Sequence, residues 1–214
     1  MHLTDLIEGI ESFQKTTFKK KKDKYADLVK NGQNPKALFI GCSDSRVVPN
    51  LITNSGPGDL FVFRNVGNFV PPFNPEVEYH GTAAAIEYAV SHLKVSNIII
   101  CGHSHCGAIK GVYEKDHHDM SEVAHLKKWL ELGDEAREIV ENIAKKEPMS
   151  LEEKLKLTEQ ISVIFSMQNI LTYPLVTDKV LEGKLSIRGW YYKIETGEIL
   201  YYNEDKMEFL PIEK

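Results

Sequence analysis

Leu3, Leu6, Ile7, Ile10 and Phe13 recur at three- and four-residue intervals, which lines one helix face and predicts helix over residues 3–30. Asn31-Gly32 breaks that pattern, with Pro35 close behind. The next apolar run, Ala37-Leu38-Phe39-Ile40, is short and continuous and stops at Gly41-Cys42, as a strand buried on both faces does. Leu60-Phe61-Val62-Phe63, entered through Gly56-Pro57-Gly58, predicts a second strand. Residues 71–75 hold three prolines and read as loop. Thr82 to Leu93 is alanine-rich with Ile86, Val90 and Leu93 on one side, a helix; Asn97 to Cys101 is the most β-branched run and ends at Gly102-His103.

Beyond residue 107 the pattern turns helical and polar. Ser150 and Glu153 form a capping box opening a helix with the stripe Leu157, Ile161, Ile164, Met167 and Leu171, and Pro174 marks its end. Residues 185–194 and 198–202 predict two late strands around Glu195-Thr196-Gly197. Strands alternating with helices imply an α/β fold with a mainly parallel sheet. No internal repeat or low-complexity linker divides the 214 residues, so one domain is expected, with residues 1–32 as a helical arm on a core of residues 33–214.

Two segments carry candidate chemistry: Cys42-Ser43-Asp44-Ser45-Arg46 and His103-Ser104-His105-Cys106-Gly107. Each begins where a predicted buried strand stops, and ligands of open α/β sheets bind outside those carboxyl ends. Two strand ends can lie side by side across 60 residues of sequence, so Cys42, His103 and Cys106 are candidate ligands of one ion. Two thiolates and an imidazole suit Zn²⁺ and leave one tetrahedral corner open, the mark of a catalytic site. The thiolates cancel the formal charge of the ion, so a water in that corner should ionise at higher pH than in a three-histidine site. Asp44 is placed to accept a hydrogen bond from the attacking hydroxide, and Arg46 to hold Asp44 ionised through a charge-assisted pair. Should that pair break, Asp44 becomes a fourth metal ligand and closes the site.

Charge and cysteine usage narrow the partners. With 26 Lys and Arg against 31 Asp and Glu the net charge is −5, which disfavours general affinity for nucleic acid or anionic membrane. The lysine run 19–22 reads as a solvated helix face. Three cysteines make no secreted disulfide framework, no signal peptide or membrane span is visible, and a cytoplasmic protein is expected. Cys101, inside its apolar run, reads as a buried small hydrophobe. His105 reads as a surface or supporting residue with proton relay as the sharper alternative, and His117, His118 and His125 read as solvated.

The two segments, with Arg64-Asn65-Val66, Ala85-Ile86-Glu87-Tyr88-Ala89, Leu171-Thr172-Tyr173-Pro174 and Gly189-Trp190-Tyr191, resemble the β-class carbonic anhydrases, most densely from Gln33 to Tyr113. The resemblance implies zinc-dependent, reversible hydration of CO₂ to bicarbonate. It implies a four-stranded parallel sheet extended by an antiparallel strand, and a homodimer or homotetramer with N-terminal helices wrapped over the neighbour. By position Gln33 resembles the family's substrate-orienting amide, and Phe61, Val66 and Tyr88 its apolar wall. A bicarbonate-inhibited branch carries tryptophan where this chain has Phe39, so an open site is expected.

Two rival classes remain at this stage. Gly102-x-Ser104 after a strand is similar to a hydrolase nucleophile elbow, but Cys106 replaces its last glycine. A non-catalytic zinc protein needs a fourth permanent ligand, for which Asp44 is the obvious candidate.

Overall fold

The structure, a computed structural model, describes residues 2–77, 80–116 and 120–212. Its centre is a six-stranded sheet in the order β2-β1-β3-β4-β5-β6, where β1 is Ala37–Cys42, β2 Leu60–Asn65, β3 Asn97–His103, β4 Ser186–Tyr192, β5 Ile199–Asn203 and β6 Glu208–Pro211. β2, β1, β3 and β4 run parallel; β5 and β6 are antiparallel. The parallel core agrees with expectation, and β6 is an addition to the one antiparallel strand anticipated. It is four residues long and ends in proline, too short to signal itself, and Phe209 seats it against Tyr191 and Tyr202.

β1 and β3 are central, and all but Asn97 of their residues are buried, which explains their unbroken apolar runs. The chain goes from β1 outward to β2, then crosses back to β3 on the opposite side of β1. The carboxyl ends of β1 and β3 therefore flank the point where the winding direction reverses, the usual place for a ligand crevice.

Helices cover the sheet: α3 Pro49–Ile52, α4 Gly81–Glu87, α5 Gly107–Glu114, α6 Ala124–Leu130, α7 Asp134–Ala144, α8 Leu151–Ile170 and α9 Pro174–Leu181 follow the arm helices α1 Leu3–Ser12 and α2 Phe18–Asn31. The Ser150–Glu153 capping box opens α8 as expected. Pro174 does not stop α8, which ends at Ile170; it occupies the first turn of α9, where its missing N–H costs nothing.

The face α8 turns to the sheet differs from the expected stripe. Its buried residues are Thr158, Glu159, Ser162, Val163, Ser166, Met167 and Ile170, so only Met167 of the stripe is buried. The reason is close approach to glycine. A Cβ on Gly102 of β3 would lie 2.5 Å from Val163, and one on Gly189 of β4 2.5 Å from Met167. Small hydroxyl residues fit that narrow seam and satisfy themselves there: Ser162 donates to the Glu159 carbonyl, and Ser166 accepts from the Val70 amide.

The arm bears out the predicted helix over residues 3–30, with a wider turn at Phe13–Thr17 and a stop at Gly32, whose φ is +78°. None of its described residues is buried. Its far end is pinned by a Lys24–Asp59 ion pair at 3.1 Å and by Leu28 lying over Gly58. No helix among the described residues is long and apolar enough to cross a membrane.

Candidate metal centre

Cys42 is the last residue of β1, His103 the last of β3, and Cys106 the cap residue of α5. Adjacent pairing of β1 with β3 brings the first two together. The turn Ser104-His105 folds Cys106 back, which requires φ of +57° at His105. The two sulfurs and an imidazole nitrogen all lie within 4.8 Å of one another, and all three residues are buried. Among the described residues this is the one cluster of its kind, and no carboxylate oxygen joins it.

The donors are prepared for a soft cation. His103 Nδ1 is 2.8 Å from the Ser104 carbonyl, so it carries the proton, and the lone pair is left on Nε2. Nε2 is buried with no hydrogen-bond partner, an orphaned polar atom facing two thiols. Cys42 Sγ accepts backbone N–H groups from Asp44 and Gly67, each at 3.4 Å. The Cys42 thiol is held well below its ordinary range, first by the hydrogen bond from Cys106, while Cys106 is pushed up by donating it. An ion about 2.3 Å from each sulfur wants them about 3.8 Å apart in a tetrahedron, which this cluster accommodates. The residues fit zinc.

Around the trio the backbone is fastened by guanidinium groups. Arg46 grips Asp44 through both oxygens, Nε to Oδ1 at 2.9 Å and Nη2 to Oδ2 at 2.8 Å, and its own N–H donates to Oδ1. The side-chain bonds from Arg46 are the main reason the Asp44 carboxyl lies far below the usual carboxylate range. Arg46 Nη2 also donates to the His105 carbonyl at 2.9 Å, joining the two motifs. Arg64 donates to the carbonyls of Cys42 and Asp44, at 2.9 and 2.7 Å. Ser104 Oγ donates to Glu195 and accepts from the Ile194 amide, fixing the metal turn to the β4–β5 loop.

The remaining expected site residues separate into two groups. Val66 directly follows β2 beside Gly67 and borders a groove of about 950 Å³ together with Ser43, Asn65, His80, His125 and Trp129. Phe61 and Tyr88 pack on each other at 5.7 Å, and His92 stacks on Tyr88. They are not at the trio: Phe61 stands four residues before Asn65 on β2, roughly 13 Å down the strand. Gln33 precedes β1, whose far end carries Cys42. Within one chain these three lie toward the opposite end of the strands from Cys42.

The bland readings hold where the structure describes them. Cys101 is fully buried, its thiol pushed up to about 12 by burial, and Phe39 is buried against Trp190. His125 is exposed, while His117 and His118 lie outside the described residues. The reading of the residues missed Arg64 as a backbone tie, Gly67 as a sulfur donor, and Glu159. The Glu159 carboxyl is buried against the metal turn and lies off the expected apolar stripe of α8.

Comparison with known proteins agrees with this geometry. The family model described as carbonic anhydrase matches residues 37–199. A carbonic anhydrase of Synechococcus elongatus is 41% identical over 91% of this chain and 70% of its own length. One from Helicobacter pylori strain J99 is 38% identical over 96% of this chain and 93% of its own. Among solved structures, the β-carbonic anhydrase CcaA superposes with a TM-score of 0.92 at 37% identity, covering 100% of this chain and 93% of that one. A tetrameric β-carbonic anhydrase from Sordaria macrospora gives 0.80 at 29% identity over 92% and 95%. With its sheet order, its buried Cys-His-Cys cluster and these relatives in agreement, the chain belongs to the β-carbonic anhydrase family.

Proposed function

We propose that this chain performs the family's reversible hydration of CO₂ to bicarbonate with zinc held by Cys42, His103 and Cys106. Zinc held there would supply the Lewis acidity that makes a water nucleophilic, at a pH above that of a three-histidine site. Asp44 accepts the hydrogen bond that aims the attacking oxygen. Because Arg46 keeps Asp44 ionised, the carboxylate can only accept, so it selects the orientation in which the oxygen lone pair faces CO₂. Val66 provides an apolar wall for an uncharged substrate.

The observation that carries this reading is the two-point grip of Arg46 on Asp44, which engages each carboxylate oxygen once from the side chain and keeps Asp44 out of the Cys-His-Cys cluster. Without that grip Asp44 is the nearest candidate to close the corner. Stopped-flow CO₂ hydration with parallel zinc analysis tests the reading: wild type turns over with one zinc per chain, and Arg46→Ala keeps zinc but loses activity about 10- to 100-fold. Undiminished turnover in that variant refutes the assignment.

The site is completed by a second copy. Gln33, Phe61 and Tyr88 of one chain orient and wall CO₂ at the metal centre of its neighbour. Supporting this, Leu3, Leu6, Ile7, Ile10 and Phe13 form an exposed apolar stripe, with Leu3 73% accessible. A stripe of that kind marks a protein interface. A homodimer or homotetramer follows, with residues 1–214 as one domain and residues 1–32 as its arm. The free thiols this ligand set requires fit a reducing, cytoplasmic setting.

A further inference from the structure

We infer that Glu159 is a positioning residue of the metal centre: with Arg46, it clamps the single peptide group joining His105 to Cys106 and so sets the direction of the Cys106 sulfur. This rests on the zinc reading above and extends it to a residue outside both motifs.

The clamp is visible atom by atom. The carbonyl of His105 and the N–H of Cys106 belong to one planar peptide group. Arg46 Nη2 donates to that carbonyl at 2.9 Å, and the N–H donates to Glu159 Oε1 at 2.9 Å. Held at both ends, the plane cannot rotate about its flanking bonds. Rotation there is a real hazard, since His105 sits at φ +57°, a conformation a β-carbon disfavours. Cys106 follows immediately, so the tilt of this plane decides where its Cα–Cβ bond points.

Glu159 is built for the task. It is 4% exposed, and its second oxygen accepts the Tyr191 hydroxyl at 2.6 Å. No lysine or arginine among the described residues pairs with it. A carboxyl buried without a cation is costly and contributes little as an ion pair. Its value lies in the acceptor it offers to a buried amide that caps α5 and has no backbone acceptor. The rigid seam between α8 and β3, where Val163 crowds Gly102, fixes the height of Glu159 beneath the turn.

Three variants of the full-length, zinc-loaded protein test the clamp: Glu159→Gln, Glu159→Leu and Tyr191→Phe. Zinc release to a competing chelator and the thiolate-to-metal and ligand-field bands of the cobalt-substituted protein are the readouts. Glu159→Leu is expected to release zinc at least about tenfold faster and to shift the cobalt bands, as loss of a supporting hydrogen bond does. Glu159→Gln keeps an acceptor oxygen and stays within about threefold of wild type. Tyr191→Phe spares the Cys106 bond and gives the smaller shift. In wild type the Cys106 amide proton is expected downfield and slow to exchange, because it is buried and bonded to Glu159. A Leu variant identical to wild type, a Gln variant as impaired as Leu, or a rapidly exchanging Cys106 amide in wild type each overturns the assignment. The amide measurement stands even if the Leu variant does not fold. Should wild type bind neither zinc nor cobalt, the metal reading itself falls; normal binding with an unaffected Leu variant sinks the clamp alone.

Discussion

Gly67 meets two demands that no other residue meets together. Its φ is +82°, and a Cβ there would lie 2.7 Å from the Phe69 ring and 2.9 Å from Ala108, yet only in this pose does its N–H reach the Cys42 sulfur. Gly67→Ala is expected to lower stability by about 1–3 kcal/mol through strain and crowding, read as a fall in the thermal midpoint. It should also speed zinc release, since the sulfur loses a donor. Asp44 gives a pH expectation with a definite sign. Its carboxyl is depressed in the folded state, so the Arg46 pair adds stability that is complete above the unfolded value of about 3.9 and is lost only as pH falls through the folded value. The carboxylate signal of Asp44, followed by infrared or NMR, should therefore persist unchanged from pH 8 to pH 4. A transition centred at about 3.9 or above, where an unpaired aspartate titrates, would mean that the pair is not formed.

At the scale of elements, legibility followed burial. β1 and β3 announced themselves because a strand covered on both faces must be apolar throughout, and the metal motifs were readable because each follows such a strand. α8 was misread for a related reason. A helix with apolar residues around most of its surface has no unique inner face, and the choice is made by Gly102 and Gly189, far away in sequence. The same error hid Glu159, which turns inward with Thr158 and Ser162. Gly102→Ala places a methyl 2.5 Å from Val163 and should lift α8 from the sheet, costing about 1–3 kcal/mol by thermal unfolding. Pairing it with Val163→Ala should recover part of that loss, because the two atoms contend for the same space.

For the whole molecule, a sequence reads as one chain, and a site shared between copies does not appear within it. Gln33, Phe61 and Tyr88, expected at the substrate site from the resemblance, lie toward the other end of the strands from Cys42, and the proposed sharing of the site between copies accounts for that separation. The arm stripe supplies the test. Charged substitution at Leu6 and Ile10 is expected to shift sedimentation toward the monomer and to abolish CO₂ hydration while each chain keeps its zinc. Mixing Cys42→Ala chains with Tyr88→Ala chains should restore activity that neither variant has alone. Recovery follows because the Tyr88→Ala chain keeps a metal centre and receives an intact wall from its neighbour.

The strands bearing Cys42 and His103 are adjacent and both interior to the sheet, and Arg64 ties the carbonyls of Cys42 and Asp44 from the neighbouring strand. Strand pairing and hydrogen bonds that involve no metal hold these positions, so the site is expected to keep its shape when stripped, unlike a zinc finger, which unfolds without its ion. Chelation should leave far-ultraviolet dichroism intact and lower the melting temperature only by mass action. Reloading then proceeds at the pace of ion entry, with no refolding step, and a cation of the wrong radius finds thiolates that will not move to meet it.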